Sequence, residues 1–256
     1  MLPSLFISHG SPMLALEPGD SGPALARLAN DMPKPRAVVI VSAHWESEQL
    51  LVNATPRPET WHDFGGFPPE LFAVQYPAPG LPELSTQVAA LLDAHGLPAR
   101  LVQDRPFDHG VWVPLSLMYP DADVPIVQVS LPSRLGPQMQ TRVGEALRSL
   151  RDDNVLLIGS GSITHNLREL SWRAPGSTDG VAWARDFRDW MVDRLRANDE
   201  QALHDYRRLA PNAIRNHPSE EHLLPLYFAR GAGGSFSLAH TGFTLGALGM
   251  DIYRFG

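Results

Sequence analysis

The chain has 256 residues, 43% of them hydrophobic, with a formal net charge of −7 and no cysteine. That length buries a sizeable core as one domain, and the acidic balance argues against a nucleic-acid binder, which would carry a basic face. Without cysteine there is no disulfide, iron–sulfur cluster, thiolate zinc site or cysteine nucleophile, so any metal must be held by histidine, carboxylate or water. No basic-then-apolar leader and no bilayer-length apolar run is evident, so a cytoplasmic protein is expected, with no membrane partner.

The first apolar run, Leu5-Phe6-Ile7, reads as a buried strand that Gly10 and Pro12 break, which leaves His9 at its C-terminal end. Ala24, Leu25, Leu28 and Ala29 have helical spacing and predict a short helix over Ser21–Asp31, ended by Pro33 and Pro35. Ala37–Ser42 is apolar at nearly every position, as a strand covered on both faces should be, and it runs into Ala43-His44-Trp45.

The loop Thr60–Pro68 holds Trp61, His62, Phe64 and Phe67 between glycines. Such aromatics suit a wall that closes over a flat ligand, and they equally suit a plug under a long loop. Leu84–His95 is a helix with Val88, Leu91 and Leu92 on one face, and His95 at its end favours the helix dipole.

His109 follows a polar loop and precedes an apolar helix over Val111–Met118. Pro125–Leu131 and Asn154–Gly159 read as further buried strands, separated by an amphipathic helix over Pro137–Leu150. The second of these strands empties into small residues and His165. A long helix covers Val181–Asn198, while Asp205–Asn216 reads as helix or loop. Glu220 to Phe228 looks like a helix start, with acidic residues and Pro225 in its first turn. Ser235–Tyr253 reads as a hairpin-like pair. The alternation of strands and helices predicts one α/β domain over residues 1–256, with a central, largely parallel or mixed sheet flanked by helices.

Four of the ten histidines, His9, His44, His165 and His222, sit at strand or helix ends beside small or turn residues. Any one of them alone is more often a solvated or core histidine than a ligand. Three at strand ends share one edge of an α/β sheet, where ligands bind. Of the others, His62 alone among His62, His95, His204, His217 and His240 sits in a candidate ligand loop. Imidazoles without thiolates suit zinc, iron, copper or nickel, and three protein ligands leave positions open for water, substrate or dioxygen. Gly159-Ser160-Gly161 lacks the third glycine of the dinucleotide fingerprint. There is no Walker loop, no Gly-x-Ser-x-Gly and no His-Glu-x-x-His. From residues alone the reading is a mononuclear, histidine-rich metal enzyme.

The combined motifs narrow this. His9-Gly10-Ser11-Pro12, Ser42-Ala43-His44-Trp45, His62 to Pro68, Tyr76 to Gly80, Asp108-His109-Gly110, Tyr119 to Pro125, Thr164 to Leu167 and Glu221 to Leu226 occur in a set order. Together they resemble the 4,5-DOPA dioxygenase extradiol family, within the class III extradiol ring-cleaving dioxygenases. The likeness runs from near the start to about Phe228. It implies a mononuclear Fe(II) site at the C-terminal edge of the sheet, with Zn(II) as an alternative occupant.

By position, the resemblance makes His9, His44 and His222 metal ligands, with histidine where other class III enzymes use glutamate. It makes His165 the catalytic acid/base, able to join a zinc ion as a fourth ligand. His109 becomes a second pocket histidine that hydrogen-bonds substrate or oxygen. The implied reaction opens a catechol such as DOPA with O2, beside its diol, to a semialdehyde acid. For such a substrate, Trp61, Phe64 and Phe67 of the aromatic loop suit the wall against the flat ring, and His62 in the same loop is a further substrate-binding candidate. Two other readings use the same residues: a zinc-dependent hydrolase, and a non-catalytic member kept as an interaction module.

Overall fold

In the strand Ala37–Glu46, neighbouring residues turn to opposite sides: Val39 and Val41 enter one core, Val38 and Ile40 the other. This period of two is what a strand buried on both faces requires. It repeats in Ser4–Ser8 and Val155–Gly161 of the computed structural model, which describes residues 1–171 and 179–256.

The strands are β1 (Ser4–Ser8), β2 (Ala37–Glu46), β3 (Leu50–Asn53), β4 (Ala99–Val102), β5 (Ile126–Leu131), β6 (Val155–Gly161), β7 (Phe236–His240), β8 (Phe243–Thr244), β9 (Leu248–Gly249) and β10 (Ile252–Phe255). The main sheet has eight strands in the order β4-β3-β5-β2-β6-β1-β10-β7. Its centre, β5-β2-β6-β1, is parallel; β3 and β10 join it antiparallel, and outside them β4 runs parallel to β3 and β7 antiparallel to β10. The result is a mixed α/β sheet flanked by helices, in a single domain. One face is covered by α1 (Ser21–Asn30) and α4 (His109–Met118). The other is covered by α3 (Pro82–Ala94), α5 (Gly136–Leu147), α6 (Ala182–Arg196) and α10 (Leu224–Ala232). The remaining short helices are α2 (Pro69–Phe72), α7 (Glu200–His204), α8 (Tyr206–Leu209) and α9 (Ala213–Asn216).

The long elements fall where periodicity predicts them. Strand β2, however, continues past Ser42 to Glu46, with a register shift between Val41 and Glu46, so His44 lies inside the irregular end of the strand. Helix α4 begins at His109 itself. Strands β3 and β4 carry no sequence signal, each being only four residues long, and β4 is half exposed at the sheet edge.

The acidic residues expected in the first turn of α10 precede it instead. Glu220 accepts from the Tyr206 hydroxyl at 2.8 Å and Glu221 from the His222 ring at 3.0 Å, so side chains rather than the helix dipole hold them. Pro225 does occupy the first turn. The C-terminal hairpin forms from β7 and β10, and β10 then lies against β1 inside the main sheet. Among the described residues no helix is long and apolar enough to cross a membrane.

Two glycines set the approach of α10 to the sheet. A Cβ on Gly159 would stand 1.9 Å from the Pro225 carbonyl oxygen, and one on Gly161 2.1 Å from that of His222. The Gly-Ser-Gly of β6 therefore serves close backbone packing rather than phosphate binding. The Ser162 amide donates to the His222 carbonyl at 2.8 Å and locks this contact.

Candidate metal centre

The parallel strands end together, and β6 lies between β1 and β2. Ser160 of β6 pairs in register with Ile7 on one side and Ser42 on the other. His9 follows β1 and His44 follows Ser42 by two residues, so both imidazoles emerge at the same edge. The turn into α10 adds His222. One nitrogen from each of His9, His44 and His222 lies within 4.8 Å of the others.

Hydrogen bonds decide which nitrogens face inward. Ser160 Oγ donates to the Gly110 carbonyl at 2.5 Å, so it accepts from His9 Nδ1 at 2.9 Å. His9 Nδ1 therefore carries the proton, and Nε2 keeps its lone pair. The Glu221 carboxylate accepts from His222 Nδ1 at 3.0 Å, which likewise frees Nε2 of His222. That atom is buried and has no hydrogen-bond partner. His9 Nε2 and His44 Nε2 face each other at 3.1 Å.

Three converging imidazoles and an orphaned buried nitrogen are what a bound cation would satisfy. Burial, then the neighbouring imidazoles, push His9 and His222 well below the usual histidine range. Burial and then His109 lower His44 to about 4. All three stand neutral at pH 7, the protonation state a metal ligand needs.

His165 stacks on His222 with ring centroids 3.4 Å apart, and its backbone amide donates to Asn216 at 3.0 Å. Among the described residues its ring takes no hydrogen-bond partner. Burial first, then His217, lowers it to about 3, while Glu221 acts in the opposite direction. His109 lies over His44, ring centroids 4.0 Å apart.

Behind the site, the fully buried Asp108 accepts from Ser42 at 2.6 Å, Gln128 at 2.6 Å and Arg105 at 3.3 Å. Arg105 also donates to the His44 carbonyl at 3.3 Å, so this network pins the irregular end of β2.

The aromatic loop divides. Phe64 packs edge-on against His109 at 5.7 Å, and Phe67 against Phe64 at 5.3 Å. Trp61, 41% exposed, instead covers the Arg105 guanidinium at 4.9 Å, opposite Trp45 at 5.0 Å. The His62 ring bonds the Val74 carbonyl at 3.0 Å, and His62 meets Phe64 rather than the histidine cluster. A cavity of about 850 Å³ has Ser11, Phe67 and Met250 in its wall and none of the clustered histidines.

Ser160, Glu221 and Asp63 escaped sequence reasoning as functional residues. Each lies within five residues of a motif histidine, but only the fold shows which ring it meets. His217 was also passed over. It is fully buried, bonds the Ile163 carbonyl at 2.9 Å and stands behind His165.

Fold and site together define an α/β protein with a cluster of three histidines, fit to hold a metal, at the C-terminal edge of its parallel strands. Residues 3–256 match the family described as the catalytic LigB subunit of aromatic ring-opening dioxygenase, and the chain belongs to that family. It is 40% identical to a 4,5-DOPA dioxygenase extradiol of Beta vulgaris, over 98% of this chain and 96% of that one. It is 36% identical to a 4,5-DOPA dioxygenase extradiol of Escherichia coli strain K12, over 100% of this chain and 95% of that one. The crystal structure of an uncharacterised protein from Escherichia coli K12 matches with a TM-score of 0.84 at 32% identity, covering 100% of both chains. The chain is thus an aromatic ring-opening dioxygenase, and the hydrolase and interaction-module readings fall away.

Proposed function

We propose that the chain opens a catechol such as DOPA beside its diol, using Fe(II) held by His9, His44 and His222, and releases a semialdehyde acid. The convergence of imidazole nitrogens from His9, His44 and His222, that of His222 buried without a partner, carries this reading. Bound Fe(II) supplies a docking point for the two catechol oxygens and a redox path between ring and dioxygen, which Zn(II) lacks.

The protein residues do the rest. His165 is neutral at pH 7 and its ring is free to accept the proton of a catechol hydroxyl. The nearby Glu221 carboxylate stabilises the imidazolium so formed, which later returns the proton. His109 is held by Asp63 through Nδ1, so Nε2 is the nitrogen left to meet substrate. Phe64 and Phe67 form the apolar wall for the flat ring, and the cavity beyond Phe67 takes the ring substituent.

Anaerobic loading with Fe(II), followed by air-saturated DOPA or catechol, tests this. Oxygen uptake and a yellow ring-opened product are expected with Fe(II), not with Zn(II), and both are lost in His165→Ala. No uptake with any catechol would overturn the substrate reading, and full activity in His165→Ala would overturn the assigned acid/base.

A further inference from the structure

His9 and His222 each have a private outer partner, Ser160 and Glu221. His44 does not. The group facing its outer nitrogen is Asp63, whose Oδ2 lies 3.7 Å from His44 Nδ1. That distance is an ionic contact, beyond hydrogen-bond range. The other oxygen of the same carboxylate, Oδ1, accepts from the His109 backbone amide at 3.0 Å and from His109 Nδ1 at 2.8 Å. The Asp63 side chain is 8% exposed, so solvent screens these contacts little. Accepting two N–H bonds through Oδ1, the Asp63 carboxylate serves as an acceptor that cannot donate in return.

We propose that Asp63 is a positioning residue shared between His44 and His109, coupling metal affinity at one to the placement of the other. This rests on the ligand set proposed above. A carboxylate behind a metal-bound imidazole orients the ring and raises its basicity. Here that carboxylate is also anchored by the amide and ring of the residue that opens α4. Losing His109 releases Oδ1, lets Asp63 shift, and weakens the hold on His44, although His109 is not a ligand in the proposed set.

The test reads Zn(II) affinity by competition with a chromophoric chelator, and the absorption bands of Co(II)-loaded protein. Neither needs catalysis. Asp63→Asn, which keeps shape and loses charge, is expected to weaken Zn(II) binding about 10- to 100-fold and shift the Co(II) bands. His109→Phe is expected to weaken Zn(II) several-fold in the native background and not at all in Asp63→Asn, a non-additive cycle. Folding of each variant is checked by its urea midpoint. If Asp63→Asn does not fold, His109→Phe alone still decides, because unchanged Zn(II) affinity there overturns the coupling. Unchanged affinity in folded Asp63→Asn, or additive losses, overturns it too. Native protein that binds no Zn(II) overturns the metal site with it. Failure of oxygen uptake in the native Fe(II) protein overturns only the activity reading.

Discussion

Ser160 contributes one hydroxyl, and that hydroxyl decides which nitrogen of His9 is free. Its proton goes to the Gly110 carbonyl, so it can only accept from His9. Ser160→Ala leaves His9 Nδ1 without its acceptor and lets the ring choose either tautomer. A loss of about 10-fold or more in Zn(II) affinity is expected by chelator competition, at unchanged secondary structure by circular dichroism. Glu221→Gln keeps an acceptor beside His222 but removes the charge, so it should cost less than Glu221→Ala in the same titration. Equal losses from both would show that the charge and not the hydrogen bond matters. At this scale the sequence displays residue types and not distances. It draws attention to His62 as the polar residue of the aromatic loop, yet the adjacent Asp63 reaches the cluster while His62 turns to Val74.

At the scale of elements, the contact of β6 with α10 does the most to build the site. Leu224, Leu226, Tyr227 and Phe228 are fully buried in α10. Full burial of an apolar side chain of this size stabilises by roughly 1.5–3 kcal/mol, so the helix is firmly seated. Its position along the sheet is set by the missing side chains of Gly159 and Gly161. Either residue changed to Ala forces the helix outward, with an expected cost of about 1–3 kcal/mol in urea unfolding. The two variants should differ in metal binding. Gly161→Ala pushes on the His222 backbone itself and should weaken Zn(II) more than Gly159→Ala, which meets Pro225. The reverse order in the chelator titration would contradict this account. The strand was legible from its apolar run and the helix start from Pro225, but their closeness was not, because an x-Gly-x pattern has several uses and only packing selects one.

For the whole molecule, the consequence is sensitivity to acid. Burial foremost, partly offset by the bond to Ile163 and by Glu221, lowers His217 to about 4, and burial lowers His165 to about 3. The unfolded chain takes up these protons near pH 6.5, while the folded chain refuses them until lower pH. Their contribution to stability is therefore complete above about pH 6.5 and is lost as pH falls toward 4, by about 1.4 kcal/mol per pH unit for each group. Urea midpoints of metal-free protein should fall between pH 7 and pH 5. His217→Phe should flatten that fall by about one proton, and an unchanged slope would show that His217 is protonated alike in both states. Bound metal should steepen the acid loss, since only unprotonated imidazoles hold it.

What the sequence determined by itself follows from local physics. Strand and helix periods, the apolar runs of β1, β2, β5 and β6, the histidines at or near strand ends and the lack of cysteine all act over a few residues. With the ordered motifs, they sufficed for an α/β ring-opening dioxygenase with a histidine-rich site. What only the tertiary structure decided is everything that depends on distance between remote segments. His222 meets His9 because glycines let α10 approach β6. Ser160 meets His9 because β6 lies between β1 and β2. Asp63 meets both His44 and His109 because its loop folds over the start of α4. Such contacts arise from packing across the sheet edge, and no neighbouring residue in the chain encodes them.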